Sequence, residues 1–235
     1  MTKSPPFDRP PQEPDPSAIR ALAERFGGEV DHHEGHERAW VMCPPADLDS
    51  VLTAAAELDL RHTRTLLQMS VALPVADPAP TRPIATRPFE FERDHEAWLR
   101  VNNAAFAWHP DQGNKTTADL ETTIAEPWFD PEGFRILDLD ETMAGFCWTK
   151  IHSQESPPLG EIFVIAVAPE FAGRGLGRAL TLDGLDWMAR QRHLTAAMLY
   201  VEADNTAALR TYEQIGFEVV ATRVAFEPAA SPNLL

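Results

Sequence analysis

Apolar positions in residues 17–76 recur at helical spacing, then at strand spacing, and then repeat that order. Ser17 can cap a helix whose positions Ile19, Leu22, Ala23 and Phe26 share one face, and Gly27-Gly28 ends it. Ala39 to Cys43 reads as a strand. Asp47 to Leu60 reads as a second helix, with Leu48, Val51, Leu52, Ala55 and Leu58 on one side. Thr65 to Leu73 closes this small α/β lobe as a further strand. It is flanked by polar, proline-rich chain. Residues 1–16 contain six prolines and no apolar period, which predicts a disordered tail, and Asp77-Pro-Ala-Pro-Thr-Arg-Pro83 predicts a stiff linker.

From residue 84 the pattern changes to one continuous unit, expected to run to residue 227 before a short tail, 228–235. Helices are predicted over Asp94–Ala107 and Thr117–Ala125, and strands over Phe134–Leu139, Met143–Ile151, Glu161–Val167, Ala197–Glu202 and Val219–Phe226. The first two strands form a hairpin across Asp140-Glu141-Thr142. A helix over Gly175–Arg190 follows the third strand. Asp204-Asn205 can cap a last helix, Thr206–Ile215, which Gly216 ends.

The most informative stretch is Glu161 to Arg178. Residues Ile162 to Val167 are apolar and partly β-branched, as in a strand covered on both faces. Pro169 stops the strand, and Gly173, Gly175 and Gly177 then fall where the helix begins. Unshielded backbone amides at the positive end of a helix dipole make an anion site, and Arg174 and Arg178 add charge there. A nucleotide P-loop would need Lys-Ser/Thr after Gly177, where Arg178 and Ala179 stand. A dinucleotide fingerprint would need glycine at position 178. A pyrophosphate cradle of another kind is indicated.

Composition narrows the partners. The net charge of −16 argues against nucleic acid but leaves room for an anionic ligand held by local arginines, and weakly favours a cationic second substrate. No run approaches a membrane span and the start lacks a signal-like apolar segment, so a cytoplasmic protein with no membrane partner is expected. Two cysteines, Cys43 and Cys147, provide neither a disulfide framework nor a metal cluster. His32, His33 and His36 have a loose metal-like spacing without a supporting carboxylate context, so no metal is expected. His109 and His152 fall on loops of the second unit, where they can touch substrate.

Ala172-Gly173-Arg174-Gly175-Leu176-Gly177, after Val167-Ala168-Pro169, resembles the acetyl-coenzyme A loop of the GNAT superfamily of N-acetyltransferases, with Ala172 in place of that motif's Gln or Arg. Asn205-Thr-Ala-Ala, followed by Tyr212 and Gly216-Phe217, is similar to its closing motif, and the order of elements is similar too. The resemblance implies an α/β (α+β) fold: a mixed, strongly twisted sheet flanked by helices, with the cofactor strand and the next parallel strand splayed apart. It implies acetyl-CoA as acetyl donor. Ile165, Ala166 and Val167 would bind through their backbone, Ala172 through Arg178 would hold phosphate, and Asn205 and Ala208 would meet the pantetheine. Arg210 either approaches the phosphates or is a solvated surface residue.

Transfer to an amine requires a neutral amine and a stabilised leaving thiolate. An α-amino group with a pKa of about 7.7–8.0 arrives mostly as ammonium near neutral pH. Glu161, at the start of the cofactor strand, is the expected general base, and Tyr212 the expected general acid. Taken alone, the first would be a solvated glutamate and the second a packed helix tyrosine.

Four further blocks, Trp98 to Gly113, Glu126 to Pro131, Gly145 to Lys150 and Leu199 to Ala207, are similar to the C-terminal half of the mycothiol synthase family. Those enzymes acetylate the cysteinyl amine of a cysteine–glucosamine–inositol conjugate. By that resemblance Asp111, Lys150, Glu161 and Tyr200 contact the acceptor. The expected partner is thus a small-molecule amine, an aminoacyl-sugar thiol precursor, and a monomer is expected. The family is a tandem of two such halves. Residues 1–83 hold only a partial, degenerate first half, of which Ala39 to Pro74 resembles the tail. Another small amine or a protein N-terminus as acceptor, or a non-catalytic acetyl-CoA sensor, remain the alternatives. Retention of both Glu161 and Tyr212 disfavours the sensor.

Overall fold

A computed structural model describes residues 16–33, 35–76, 83–109 and 112–229. The expected tails are described only in part, and positions 77–82 of the expected linker and Asp111 lie outside the described residues. The chain forms two compact units, one of residues 1–67 with 219–235 and one of residues 68–218.

The first unit contains α1 (Pro16–Phe26), β1 (Glu29–His33), β2 (His36–Cys43), α2 (Leu48–Glu57), the front of β3 (Leu60–Ala72) and most of β9 (Glu218–Pro228). Its core is built by the helical spacing of Ile19, Leu22 and Ala23 and of Val51, Ala54 and Ala55. These side chains pack on Ala39, Val41 and Cys43 of β2 and on Val224 and Phe226 of β9. β2 pairs antiparallel with both β1 and β9.

The second unit contains the rest of β3, β4 (Thr86–Pro88), α3 (Phe91–Ala105), α4 (Thr117–Ile124), β5 (Phe134–Leu139), β6 (Thr142–His152), β7 (Leu159–Val167), α5 (Leu176–Gln191), β8 (Ala196–Glu202) and α6 (Thr206–Ile215). Its sheet runs β3-β8-β7-β6-β5-β4. β4 to β7 pair antiparallel, whereas β7 and β8 are parallel. Asp140 and Glu141, at φ 51° and 62°, make the tight turn between β5 and β6. One face of the sheet is filled by Trp98, Val101 and Leu120 from α3 and α4 against Phe134, Phe146 and Trp148. On the other face α5 comes close because residue 184 is glycine: a Cβ there would stand 2.6 Å from Cys147 Sγ.

The sequence places a linker at residues 77–83, with the last strand in the unit that follows it. The chain divides instead inside β3, at Leu67/Gln68, and β9 belongs to the first unit. The hydrogen bonds of the strands explain this. Ser70 Oγ donates to Ala197 O (3.2 Å) and Leu73 N to Thr195 O (2.8 Å), whereas β9 is registered on β2 from Ala39↔Phe226 to Cys43↔Thr222. Proline content marks where a chain bends, not which strands pair. The second helix also ends earlier than expected, at Glu57. Asp59 takes φ 55°, and the chain enters β3 at Leu60.

Candidate active site

The site begins where β7 and β8 part. The two strands are registered over Gly160↔Ala197, Glu161↔Met198 and Ile162↔Leu199 only, although β7 continues to Val167 and β8 to Glu202. On the other side, β6 pairs Trp148 with Val164 and Thr149 with Ile162, so Phe163 is a bulged residue. A bulge bends its strand and sharpens the local twist. Here it falls at the last β7–β8 pair, so the edge of residues 163–167 faces a gap. The splay expected from the resemblance is present.

Ile165, Ala166 and Val167 line one side of a cavity of about 150 Å³. Gly177 and Thr181 of α5 and Ala208, Thr211 and Tyr212 of α6 complete it. Five of the residues expected to meet the cofactor are thus brought together with Tyr212. Thr181 and Thr211 were not anticipated, since threonine inside a helix carries no local signal of a cavity. Thr181 donates to Gly177 O (2.9 Å) and Thr211 to Ala207 O (3.0 Å), so both hydroxyls are tied to the preceding helical turn.

The other expected cofactor residues lie around this cavity rather than in its wall. Ala172, Gly173, Arg174 and Gly175 form the exposed loop ahead of α5, whereas Leu176 is buried and serves the core. Gly173 and Gly175 both take φ 73°, the left-handed region, and a Cβ on either, or on Gly177, would meet nothing within 4 Å. The loop is therefore an open cradle of backbone at a helix start. Arg174 is folded back, its guanidinium over Phe171 (5.0 Å) and donating to Glu170 O (3.1 Å). Arg178 is half-buried in the first turn of α5. Asn205 caps α6, its side chain accepting from Ala208 N at 3.2 Å. Arg210 is exposed.

Glu161 is only 8% exposed. Its neighbour Ile162 points at α5, where a Cβ on Gly184 would approach Ile162 Cδ1 to 3.2 Å, so Glu161 projects from the opposite face. Lys150 is its cross-strand partner, and Tyr200 stands two residues beyond Met198, the residue registered with Glu161. Lys150, Glu161 and Tyr200 therefore share a face, as three of the four expected acceptor contacts. The Lys150 ammonium lies over Trp128 (4.6 Å) and Phe163 (5.5 Å), not against Glu161. Glu161 Oε2 is instead 2.7 Å from Nε2 of His152. His109, on the same unit, is 3.7 Å from Glu202.

Tyr212 is buried against Phe217 (5.7 Å between centroids). Burial, and secondarily the Cys147 thiol, push its hydroxyl above the ordinary tyrosine range, so it keeps its proton throughout the neutral region. Burial likewise raises Cys147, with Asp183 adding to the effect, which leaves the thiol protonated and packed beneath α5. Among the described residues, no group of three or more His, Cys, Asp or Glu is placed to hold a metal ion.

Comparison with known proteins follows the same lines. Residues 91–217 match the acetyltransferase (GNAT) family. A mycothiol acetyltransferase of Acidimicrobium ferrooxidans is 44% identical over 86% of this chain and 66% of its own. One of Streptomyces griseus is 50% identical over 67% and 50% respectively, and one of Rhodococcus erythropolis 41% identical over 87% and 70%. The chain thus spans from half to about seven tenths of the length of these curated relatives. A GCN5-related N-acetyltransferase of Sphaerobacter thermophilus superposes with a TM-score of 0.62 over 80% of this chain and 59% of its own, at 22% identity. A tandem GNAT protein from the clavulanic acid pathway gives 0.54 over 88% and 66%, at 17% identity. These two share the fold. With a family match over residues 91–217 and a relative 41% identical covered over 70% of its length, the chain belongs to the GNAT family of acetyltransferases.

Proposed function

We propose that the chain is an acetyl-CoA-dependent N-acetyltransferase that acetylates the cysteinyl amine of the desacetyl cysteine–glucosamine–inositol precursor of mycothiol. One observation carries the reading of the reaction: the parallel pairing of β7 and β8 stops at Ile162/Leu199, beside a left-handed glycine loop, with buried Glu161 and Tyr212 at the opening. The acceptor is proposed from the relatives' names and from the polar face of Lys150, Glu161 and Tyr200. Asp111, outside the described residues, belongs to the same expectation.

The residues present suit acetyl-CoA. The strand edge of residues 163–167 can accept an extended amide chain, and the open backbone of Gly173 to Gly177 suits a pyrophosphate. The coenzyme supplies an acetyl group activated as a thioester. Glu161 removes the proton that keeps the acceptor nitrogen from acting as a nucleophile, and Lys150 and Tyr200 orient its hydroxyl-rich portion. Tyr212 donates a hydrogen bond to the departing sulfur. Its raised pKa makes it a reliable donor but a weak acid, so stabilising negative charge is its larger contribution, ahead of full proton release. The first unit is proposed as a partial, degenerate lobe of the same fold without a coenzyme site, and the enzyme as a monomer.

The test is incubation of the whole chain with acetyl-CoA and a panel of amines that includes the desacetyl precursor, simple amino sugars and peptide N-termini. Product mass is the readout, because acceptor and released coenzyme both carry thiols. Preferential acetylation of the precursor supports the proposal. Turnover of another amine alone replaces the acceptor, and binding without turnover of any amine leaves a sensor.

A further inference from the structure

Glu161 has a specific partner that the reaction scheme does not use. His152 closes β6, and Lys150↔Glu161 and His152↔Leu159 are successive same-face pairs of the β6–β7 register. His152 and Glu161 are therefore diagonal neighbours on one face of the sheet, within reach of each other's side chains. Their contact is short, 2.7 Å from Nε2 to Oε2, and lies where Glu161 has 10% of its side chain exposed and His152 28%. A carboxylate only accepts hydrogen bonds, so with Glu161 ionised the imidazole donates through Nε2–H. Lys150, the residue directly opposite Glu161, has its ammonium over Trp128 instead, so the imidazole is the group that engages the carboxylate.

We infer that His152 is the positioning residue of the general base. The inference rests on the proposed role of Glu161. A carboxylate at a strand start has two freely interchangeable oxygens and several rotamers. One donor fixed on Oε2 removes that freedom and leaves Oε1 with its lone pairs to take the proton from the acceptor ammonium. The segment that follows is held in turn: Glu155 N donates to His152 O at 3.2 Å, which anchors the histidine backbone at the end of its strand. The imidazole acts through Glu161 and has no bond-making role of its own.

The experiment is a double-mutant cycle on the full chain, with acetyl-CoA and the desacetyl precursor as substrates. His152→Ala is expected to lower kcat by about 10–10²-fold, the range for losing the fixed geometry of one catalytic group. The acceptor KM and the acetyl-CoA affinity should change less than about threefold, because Glu161 itself is retained and Lys150 and Tyr200 still hold the acceptor, so the loss falls on proton transfer more than on binding. His152→Gln, which returns an N–H donor near the Nε2 position, is expected to recover most of the lost kcat. Should the alanine variant not fold, His152→Asn replaces it, since its amide is too short to reach Oε2. In a Glu161→Gln background, removal of His152 should cost nothing further. Normal kcat in folded His152→Ala, no recovery with glutamine, or additive losses in the double mutant would each overturn the inference while leaving Glu161 as the base. Near-normal turnover of Glu161→Gln itself would overturn the base assignment.

Discussion

Gly175 is the residue at which fold stability and coenzyme affinity can be separated most cleanly. It is the N-cap of α5 at φ 73° and ψ 9°, and a Cβ there meets nothing within 4 Å. An added side chain therefore has room, and its cost to the free protein is conformational, about 1–2 kcal/mol for holding a non-glycine residue in the left-handed region. In a chain of 235 residues that corresponds to a melting temperature lower by roughly 2–8 °C. Binding should suffer more. In Gly175→Asp the new carboxylate faces the phosphates that the cradle is proposed to hold. Two unit charges about 5 Å apart at an effective dielectric of about 20 repel by about 3 kcal/mol, or on the order of 10²-fold in Kd. Gly175→Ala carries the same backbone strain without the charge, so the difference between the two variants isolates the electrostatic part. That difference should shrink as salt is raised from about 0.01 to about 0.5 M. Gly177→Ala is the control: its φ is not left-handed, and a Cβ there meets nothing within 4 Å. Calorimetric titration with acetyl-CoA, paired with thermal melts, reads both quantities, and one binding event per chain is expected. Equal Kd values for a folded Gly175→Asp and the parent would refute the cradle. Equal losses for Asp and Ala would refute the placement of phosphate beside residue 175.

Other outcomes follow from the same geometry. Glu161→Gln should lose most activity at low pH and regain part of it at high pH, where the amine arrives neutral, whereas Tyr212→Phe should lose roughly 10²–10⁴-fold with no recovery at high pH; matching pH profiles would mean the two roles are misassigned. Asp94→Ala should destabilise by about 2–3 kcal/mol in denaturant melts, because Asp94, 2% exposed, accepts from Arg87 at 2.7 and 2.8 Å and from Glu90 N at 2.8 Å, while Arg87 keeps its contact with Asp138 at 2.7 Å; a change under about 1 kcal/mol would show that the pair is dispensable. Stability should fall on the alkaline side. Cys147 and Tyr212 both have pKa values raised above their ordinary 9.0 and 10.0, so above those values the unfolded chain releases protons that the folded chain retains. Each group then removes up to about 1.4 kcal/mol per pH unit, and Tyr212→Phe should flatten the decline above about pH 10.

The parts of this architecture that were legible in the sequence are those written in local chemistry. The apolar run Ile162–Val167, the three glycines and the cap–helix–glycine series from Asn205 to Gly216 each declare an element through residues that touch one another along the chain. The turn at Asp140-Glu141 is of the same kind, with both residues in the left-handed region. What escaped was non-local. β1 reads Glu-Val-Asp-His-His, too polar for a strand by composition, and exists because each residue is registered against His36–Trp40. β4 spans three residues and is held by β5. β9 lies between β2 and β3 in the sheet, and its pairing with β2, about 180 residues earlier, has no local signal. Of the candidate site, Glu161 and Tyr212 are proposed through motifs. The His152 contact is not, since a histidine nine positions from a glutamate is unremarkable until a hairpin register brings the two onto one face.

The gap between β7 and β8 lets one sheet keep the two proposed proton-transfer roles apart at a single opening. A base and an acid placed side by side would hydrogen-bond to each other and blunt both. Here strand alternation sends Glu161 to the face of Lys150, His152 and Tyr200, whereas Tyr212 lies with α5 and α6 beside Ile165 and Val167. The two environments differ accordingly. Glu161 meets an imidazole nitrogen at 2.7 Å, and Tyr212 meets apolar packing that favours its neutral form. The bulge at Phe163 falls where the β7–β8 ladder ends, while the β6–β7 ladder that fixes Glu161 continues past it. The same geometry reconciles a net charge of −16 with an anionic ligand. The attraction proposed here comes from backbone amides and a helix start within a few ångströms, whereas the field of distant surface carboxylates is screened beyond about 10 Å.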